Sequence, residues 1–171
     1  MSDVTVHDVQ AWLKSYGELQ TAIENQRERL ETMRSRLESP RSATLTGLPG
    51  GGGDRSDRIG AKLAHIAELE AHLEEDRQTA RELYRAIEES IRQIHGPGWP
   101  DKRAVLRMRY LDGETWPEAC RMIFGRKPDF EYRQDSYLRR TFSVHKTALA
   151  ELLDIYSDYL KGSDTHETRR S

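Results

Sequence analysis

The sequence holds a single cysteine, Cys120. One cysteine excludes any disulfide framework within the chain and any cysteine-based metal site. That fits a reducing compartment. No stretch approaches the roughly 20 consecutive apolar residues that cross a bilayer. The opening "MSDVTVHDVQAWLKSYG" lacks the basic n-region and apolar run of a secretory signal. The expectation is a soluble cytoplasmic protein with no membrane partner. A phosphate-loop signature is missing too: "GLPGGGGDR" is glycine-rich but has no lysine at the required position and follows no strand. No catalytic constellation or cofactor motif stands out, so an enzyme is not expected.

Charge and helical periodicity are what the chain has in quantity. Charged residues make up 33% and hydrophobics 36%, a balance that suits long helices with narrow apolar seams better than one thick core. The net charge of -2 averages unlike parts. From Met1 to Gly98 there are 13 Lys/Arg against 17 Asp/Glu, a local -4. From Trp99 to Ala150 there are 11 against 7, a local +4. Only the second part is suited to a polyanion.

Between Val9 and Leu37 apolar residues recur at alternating steps of three and four: Val9, Trp12, Tyr16, Leu19, Ile23, then Leu30, Met33 and Leu37, with Gln26 the one polar member. A second seam runs Ile59, Leu63, Ile66, Glu70, Leu73, Arg77, Ala80, Tyr84, Ile87, Ile91 and Ile94, with Glu70 and Arg77 its polar members. Both are heptad patterns. The segment 39–58 between them, with Pro40 and four consecutive glycines, reads as a flexible linker. Residues 5–95 are therefore expected to form a long antiparallel helical hairpin. Matching Gln26 with Glu70 favours a register in which paired residue numbers sum to 96, so that Leu37 meets Ile59, Met33 meets Leu63 and Leu30 meets Ile66. Pairing of each helix with its copy in another subunit is the competing arrangement. His65 and His72, with Glu68 and Glu75, lie off the seam among other charges and read as a solvated face, so no metal site is expected.

"HGPGWP" stops the second helix. Residues 99–160 then read as a small helix-turn-helix domain, and 161–171 as a disordered tail. Val105, Leu106, Met108 and Leu111 mark a short helix. In "TWPEACRMIFG", Thr115 and Glu118 form a capping box and Pro117 occupies the first turn. After a loop at 126–134, Asp135 or Ser136 should cap a long helix with Leu138, Phe142, Ala148, Leu149, Leu152 and Tyr156 inward. Ser136, Arg139, Arg140, Ser143, Lys146 and Thr147 follow i, i+3, i+4, i+7, i+10, i+11 and share another face. Three are cationic, three bear hydroxyls and none is acidic. The face begins near the helix N-terminus, where backbone N–H groups favour phosphate. These six are the candidate DNA-binding residues; a merely solvated basic face is the competing interpretation. His145 could touch phosphate or pack against Trp116 or Phe142. Trp116 and Tyr137 could stack on bases or act as packing anchors.

"RYLDGETWPEACRMIFG" followed by "DSYLRRTFSVHKTALAEL" resembles the C-terminal part of phage late-gene transcriptional activators of the ArpU/RinA type, whose DNA-binding part is similar to sigma-factor region four. "SATLTG", the glycine-rich joint and the long helix before the motif are also similar, so the resemblance runs from about Arg41 to Leu153. It implies an all-α fold: a long antiparallel helical hairpin (coiled coil) followed by a helix-turn-helix. It also implies a phage or prophage transcription regulator that binds double-stranded DNA with the basic stripe as recognition helix; in such a regulator the hairpin would provide dimerisation, giving a homodimer, or contact with RNA polymerase. "RKPDFEYRQ" departs from the tight turn of a sigma-like motif. A small-terminase-like DNA-packaging adaptor and a coiled-coil scaffold that never meets nucleic acid remain as alternatives.

Overall fold

The computed structural model describes the backbone of residues 4–38 and 53–167, and side chains over 4–38 and 57–156. It is all-helical: α1 spans Val6–Glu38, α2 Gly53–Arg92, α3 Trp99–Tyr110, α4 Trp116–Phe124 and α5 Gln134–Glu167, with a 3-10 turn at Phe130–Tyr132. Most of the expected linker at 39–58 lies outside the described residues, but its end is helical, because α2 already starts at Gly53. At the other terminus α5 continues through 161–167, where a disordered tail was expected; 168–171 lie outside the described residues. Among the described residues no helix is long and apolar enough to cross a membrane.

The chain divides into two compact units, and the division runs through both long helices rather than at the Gly96–Gly98 break. One unit comprises residues 19–81. Here Ile23 and Leu30 of α1, and Ile66, Leu73 and Ala80 of α2, are buried at the heptad spacing that the sequence shows. The two segments run antiparallel, but the register differs from the expected one. Gln26 Nε2 donates to Asp76 Oδ2 at 2.9 Å, and Arg34 pairs with Glu70. These pairs sum to 26 + 76 = 102 and 34 + 70 = 104, close to one heptad away from 96. Ile59 and Leu63 are accordingly 45% and 54% exposed instead of meeting Leu37 and Met33. Gln26 and Glu70 stay apart for a physical reason. Gln26 and Glu70 each reach a polar group beside the seam, so neither needs the other. The match is incomplete, since Gln26 Oε1 is buried without a hydrogen-bond partner.

The other unit comprises residues 1–18 and 82–171. Its core joins Val9 and Leu13 of α1 with Ile87, Ile91 and Ile94, Val105, Leu106 and Tyr110 of α3, and Ala148, Leu149 and Leu152 of α5. Tyr16 packs on Tyr84 at 5.6 Å between ring centroids. Trp12 packs on Tyr156 at 5.4 Å. A second, smaller cluster of Cys120, Phe124 and Phe130 lies under Tyr137 and Leu138.

The joint between α2 and α3 is held by side chains. A helix end leaves carbonyls without partners. Here Arg103 Nε donates to Ile94 O at 2.8 Å and its Nη2 to Arg92 O at 2.5 Å, while its guanidinium covers the Trp99 ring at 4.4 Å. Glu151 Oε1 of α5 accepts the N–H groups of His95 (3.0 Å) and Gly96 (2.7 Å), and its Oε2 accepts Lys102 Nζ at 2.7 Å. The left-handed residue of this joint is Gly98, at φ +73°. Pro100 then sits in the first turn of α3. The expected capping box of α4 is present in both directions: Thr115 Oγ1 accepts from Glu118 N–H, and Glu118 Oε2 accepts from Thr115 N–H at 2.8 Å. That pairing holds the Glu118 carboxyl below its ordinary pKa.

Candidate nucleic-acid interface

α5 begins at Gln134, not at Asp135 or Ser136, and its inward face differs from the expected one. Thr141, His145, Ala148, Leu149 and Leu152 are buried, whereas Phe142 is 42% exposed. A threonine and a histidine can replace the expected phenylalanine because both are satisfied. Thr141 Oγ1 donates to Tyr137 O at 2.9 Å, the local bond open to a helical hydroxyl. His145 Nε2 lies 2.9 Å from Tyr110 Oη. Burial, reinforced by the charges of Arg109 and Lys14, lowers the His145 pKa to about 4, so the ring is neutral near pH 7. A neutral ring in the core is no phosphate ligand. Trp116 is a packing anchor too: its ring centroid is 4.7 Å from Phe142 and 4.8 Å from His145, with the Arg109 guanidinium 4.6 Å above it. Tyr137 lies against Phe124 and Phe130 at 5.3 and 5.7 Å, and its hydroxyl donates to Asp129 Oδ1 at 2.6 Å.

With that face buried, the opposite one is outward. Ser136, Arg139, Arg140, Ser143, Lys146 and Thr147 are all exposed. Thr147 differs from the two serines in that its hydroxyl already donates to Val144 O at 2.9 Å, which leaves it as an acceptor. Among the described residues no carboxylate lies within ion-pair reach of Arg139, Arg140 or Lys146. Arg140 is steadied by the Phe124 ring, 5.1 Å from its guanidinium carbon. The N-terminal turn of α5 is less suited to phosphate than the sequence suggested. It carries Asp135, and Glu131 just before it accepts Gln134 Nε2 at 2.9 Å. Carboxylates already complement the N–H groups there. The cationic part of the face starts at Arg139.

The 11 cations between Trp99 and Ala150 separate into two groups. Lys102 is paired with Glu151, Arg107 with Glu88 at 2.8 Å and Arg133 with Asp129 at 3.2 Å. Arg103 bonds helix-end carbonyls, and Arg109 donates to Glu114 O beneath Trp116. These five are part of the architecture. The other six are Arg121, Arg126, Lys127, Arg139, Arg140 and Lys146. All are exposed, and among the described residues none has a side-chain hydrogen bond or an ion pair within 4.0 Å, although Arg121 lies near enough to Glu118 to help lower its carboxyl pKa. Arg121, Arg126 and Lys127 were not among the residues picked from the sequence. Arg126 and Lys127 lie in a loop, where no helical face groups them, and Arg121 lies on α4 rather than on α5, yet the local +4 charge already implied more cations than carboxylates could neutralise.

Elsewhere, exposed His65 and His72 stand 3.9 and 3.5 Å from Glu68 and Glu75 on successive turns of α2. Among the described residues no three ligand-type side chains converge to hold a metal ion. Cys120 is buried beside Phe124 and Phe130. No protein-family model, curated protein or solved structure matches the chain.

Proposed function

We propose that the chain is a sequence-specific, DNA-binding transcription regulator that inserts the outer face of α5 into the major groove of duplex DNA. One observation carries this reading. Arg139, Arg140 and Lys146 stand exposed and without carboxylate partners on one rigid helix, while five neighbouring cations are tied into the fold. A cation without a protein partner can meet a phosphate or a guanine edge without first breaking an ion pair. The side of α5 facing the core is held by Ala148, Leu149, Leu152 and the Tyr110–His145 bond, so the outer side is presented on a fixed support. Two helices joined by a connection, the second offering a polar cationic face, is the arrangement that places a helix in the groove. The resemblance of the 109–125 and 135–152 segments to phage late-gene activators points the same way. It adds a homodimeric state and contact with RNA polymerase to the proposal.

The test is selection of bound duplexes from a random DNA pool with the full chain, alongside sedimentation to fix stoichiometry. An enriched motif bound by a dimer supports the regulator. A closed ring of many subunits would support a packaging adaptor instead, and no retained DNA at low salt would leave a helical scaffold.

A further inference from the structure

Tyr132 is 90% exposed, the most exposed large hydrophobic side chain among the described residues. It projects from the connection between α4 and α5, a segment longer than a helix-turn-helix requires. We propose that this connection, residues 125–133, is a second contact to duplex DNA, with Arg126 and Lys127 on backbone phosphates and the Tyr132 ring against the adjoining sugar and base edge. The proposal rests on the DNA-binding reading of α5 and extends it to a separate element.

The connection is built to hold its shape. Lys127 N–H donates to Phe124 O at 2.9 Å, Phe130 N–H to Lys127 O at 3.1 Å, Tyr132 N–H to Asp129 O at 3.2 Å and Arg133 N–H to Phe130 O at 3.1 Å. Phe130 is buried beside Cys120 and Phe124, which anchors the turn from inside. Two residues later Tyr132 points the other way. Its backbone is already ordered, so only the two side-chain torsions remain to be fixed when the ring meets a surface, and a large aromatic contact at that small cost is favourable.

Charge within the segment is divided in the same manner. Of its acidic groups, Asp129 is paired with Arg133 and accepts from Tyr137, while exposed Glu131 accepts from the neutral Gln134 amide and keeps its charge. Its two remaining cations, Arg126 and Lys127, are exposed and without partners among the described residues. They also adjoin the α5 face. The Lys127 backbone N–H donates to the Phe124 carbonyl, and the Arg140 guanidinium lies over the Phe124 ring, so the start of the connection and the α5 face border the same residue.

The experiment compares the full-length wild type with Arg126→Ala/Lys127→Ala, Tyr132→Ala, Tyr132→Phe and, as a control on α5, Arg139→Ala. Binding to one duplex taken from a random-pool selection is measured over a series of salt concentrations. All these side chains are exposed, and circular dichroism with thermal midpoints checks that each variant is folded. The double variant should flatten the log-log salt slope by about 1.8, at about 0.9 per phosphate contact. Tyr132→Ala should weaken binding roughly five- to tenfold, the scale of one lost interface aromatic, with the slope unchanged. Tyr132→Phe should bind nearly as the wild type. If the loop variants match the wild type while Arg139→Ala weakens binding, the second contact is overturned and the α5 reading stands. If the wild type retains no duplex, both fall.

Discussion

Tyr110 Oη and His145 Nε2 lie 2.9 Å apart in the core, joining the last turn of α3 to the middle of α5. The bond fixes the rotation of α5, and with it the direction of the outward face. It also makes the unit sensitive to acid. His145 has a folded-state pKa near 4, below its ordinary 6.5, because burial disfavours the imidazolium and Arg109 and Lys14 add to that. A depressed histidine pKa means that the unfolded chain takes up the proton more readily. The contribution is therefore complete above about pH 6.5 and is lost as pH falls toward 4. The loss should not exceed about 3 kcal/mol. Urea midpoints at pH 7 and pH 5 should differ more for the wild type than for His145→Gln. Equal pH dependence in the two proteins would contradict the assignment.

The Glu151 carboxylate ties the end of α2 and the start of α3 to α5. Its two backbone N–H donors and Lys102 hold its pKa below the ordinary carboxylate value, Lys102 contributing most. Glu151→Ala leaves Lys102 partly buried without its partner and should cost about 2 kcal/mol of stability. Glu151→Gln retains an acceptor and should cost less. Chemical denaturation of both variants measures the difference, and a Glu151→Ala midpoint equal to that of the wild type would show the joint to be held by packing alone.

Register in the residue 19–81 unit can be read from crosslinks. Leu30 lies midway between Gln26 and Arg34, whose partners are Asp76 and Glu70, so Leu30 should face Leu73. A cysteine pair at Leu30 and Leu73 should crosslink within one chain under mild oxidation, and a pair at Leu30 and Ile66 should do so poorly. The reverse order of efficiency would restore the register in which paired numbers sum to 96.

Much of this was legible in the residues themselves. Heptad steps revealed α1 and α2, and Thr115, Pro117 and Glu118 marked the start of α4, because caps and periodicity are local properties. The outward set on α5 was legible for the same reason, since i, i+3, i+4 spacing fixes which residues share a face. What could not be read is what depends on partners distant in sequence. The hairpin register turned on Asp76 and Arg34, which lie off both seams. The sequence left His145 open between phosphate and packing and carried no signal for Thr141, yet each finds its hydrogen bond inside. Tyr132 and Phe130 are equally aromatic in the sequence, and only packing shows that one is the anchor and the other is presented.

The most direct measurement of the central claim is the salt dependence of binding for Arg139→Ala and Lys146→Ala on a selected duplex. With both side chains on phosphates, each variant should bind more weakly, with the log-log slope flattened by about 0.9. Affinities and slopes identical to the wild type in both folded variants would contradict a role for this face in DNA binding.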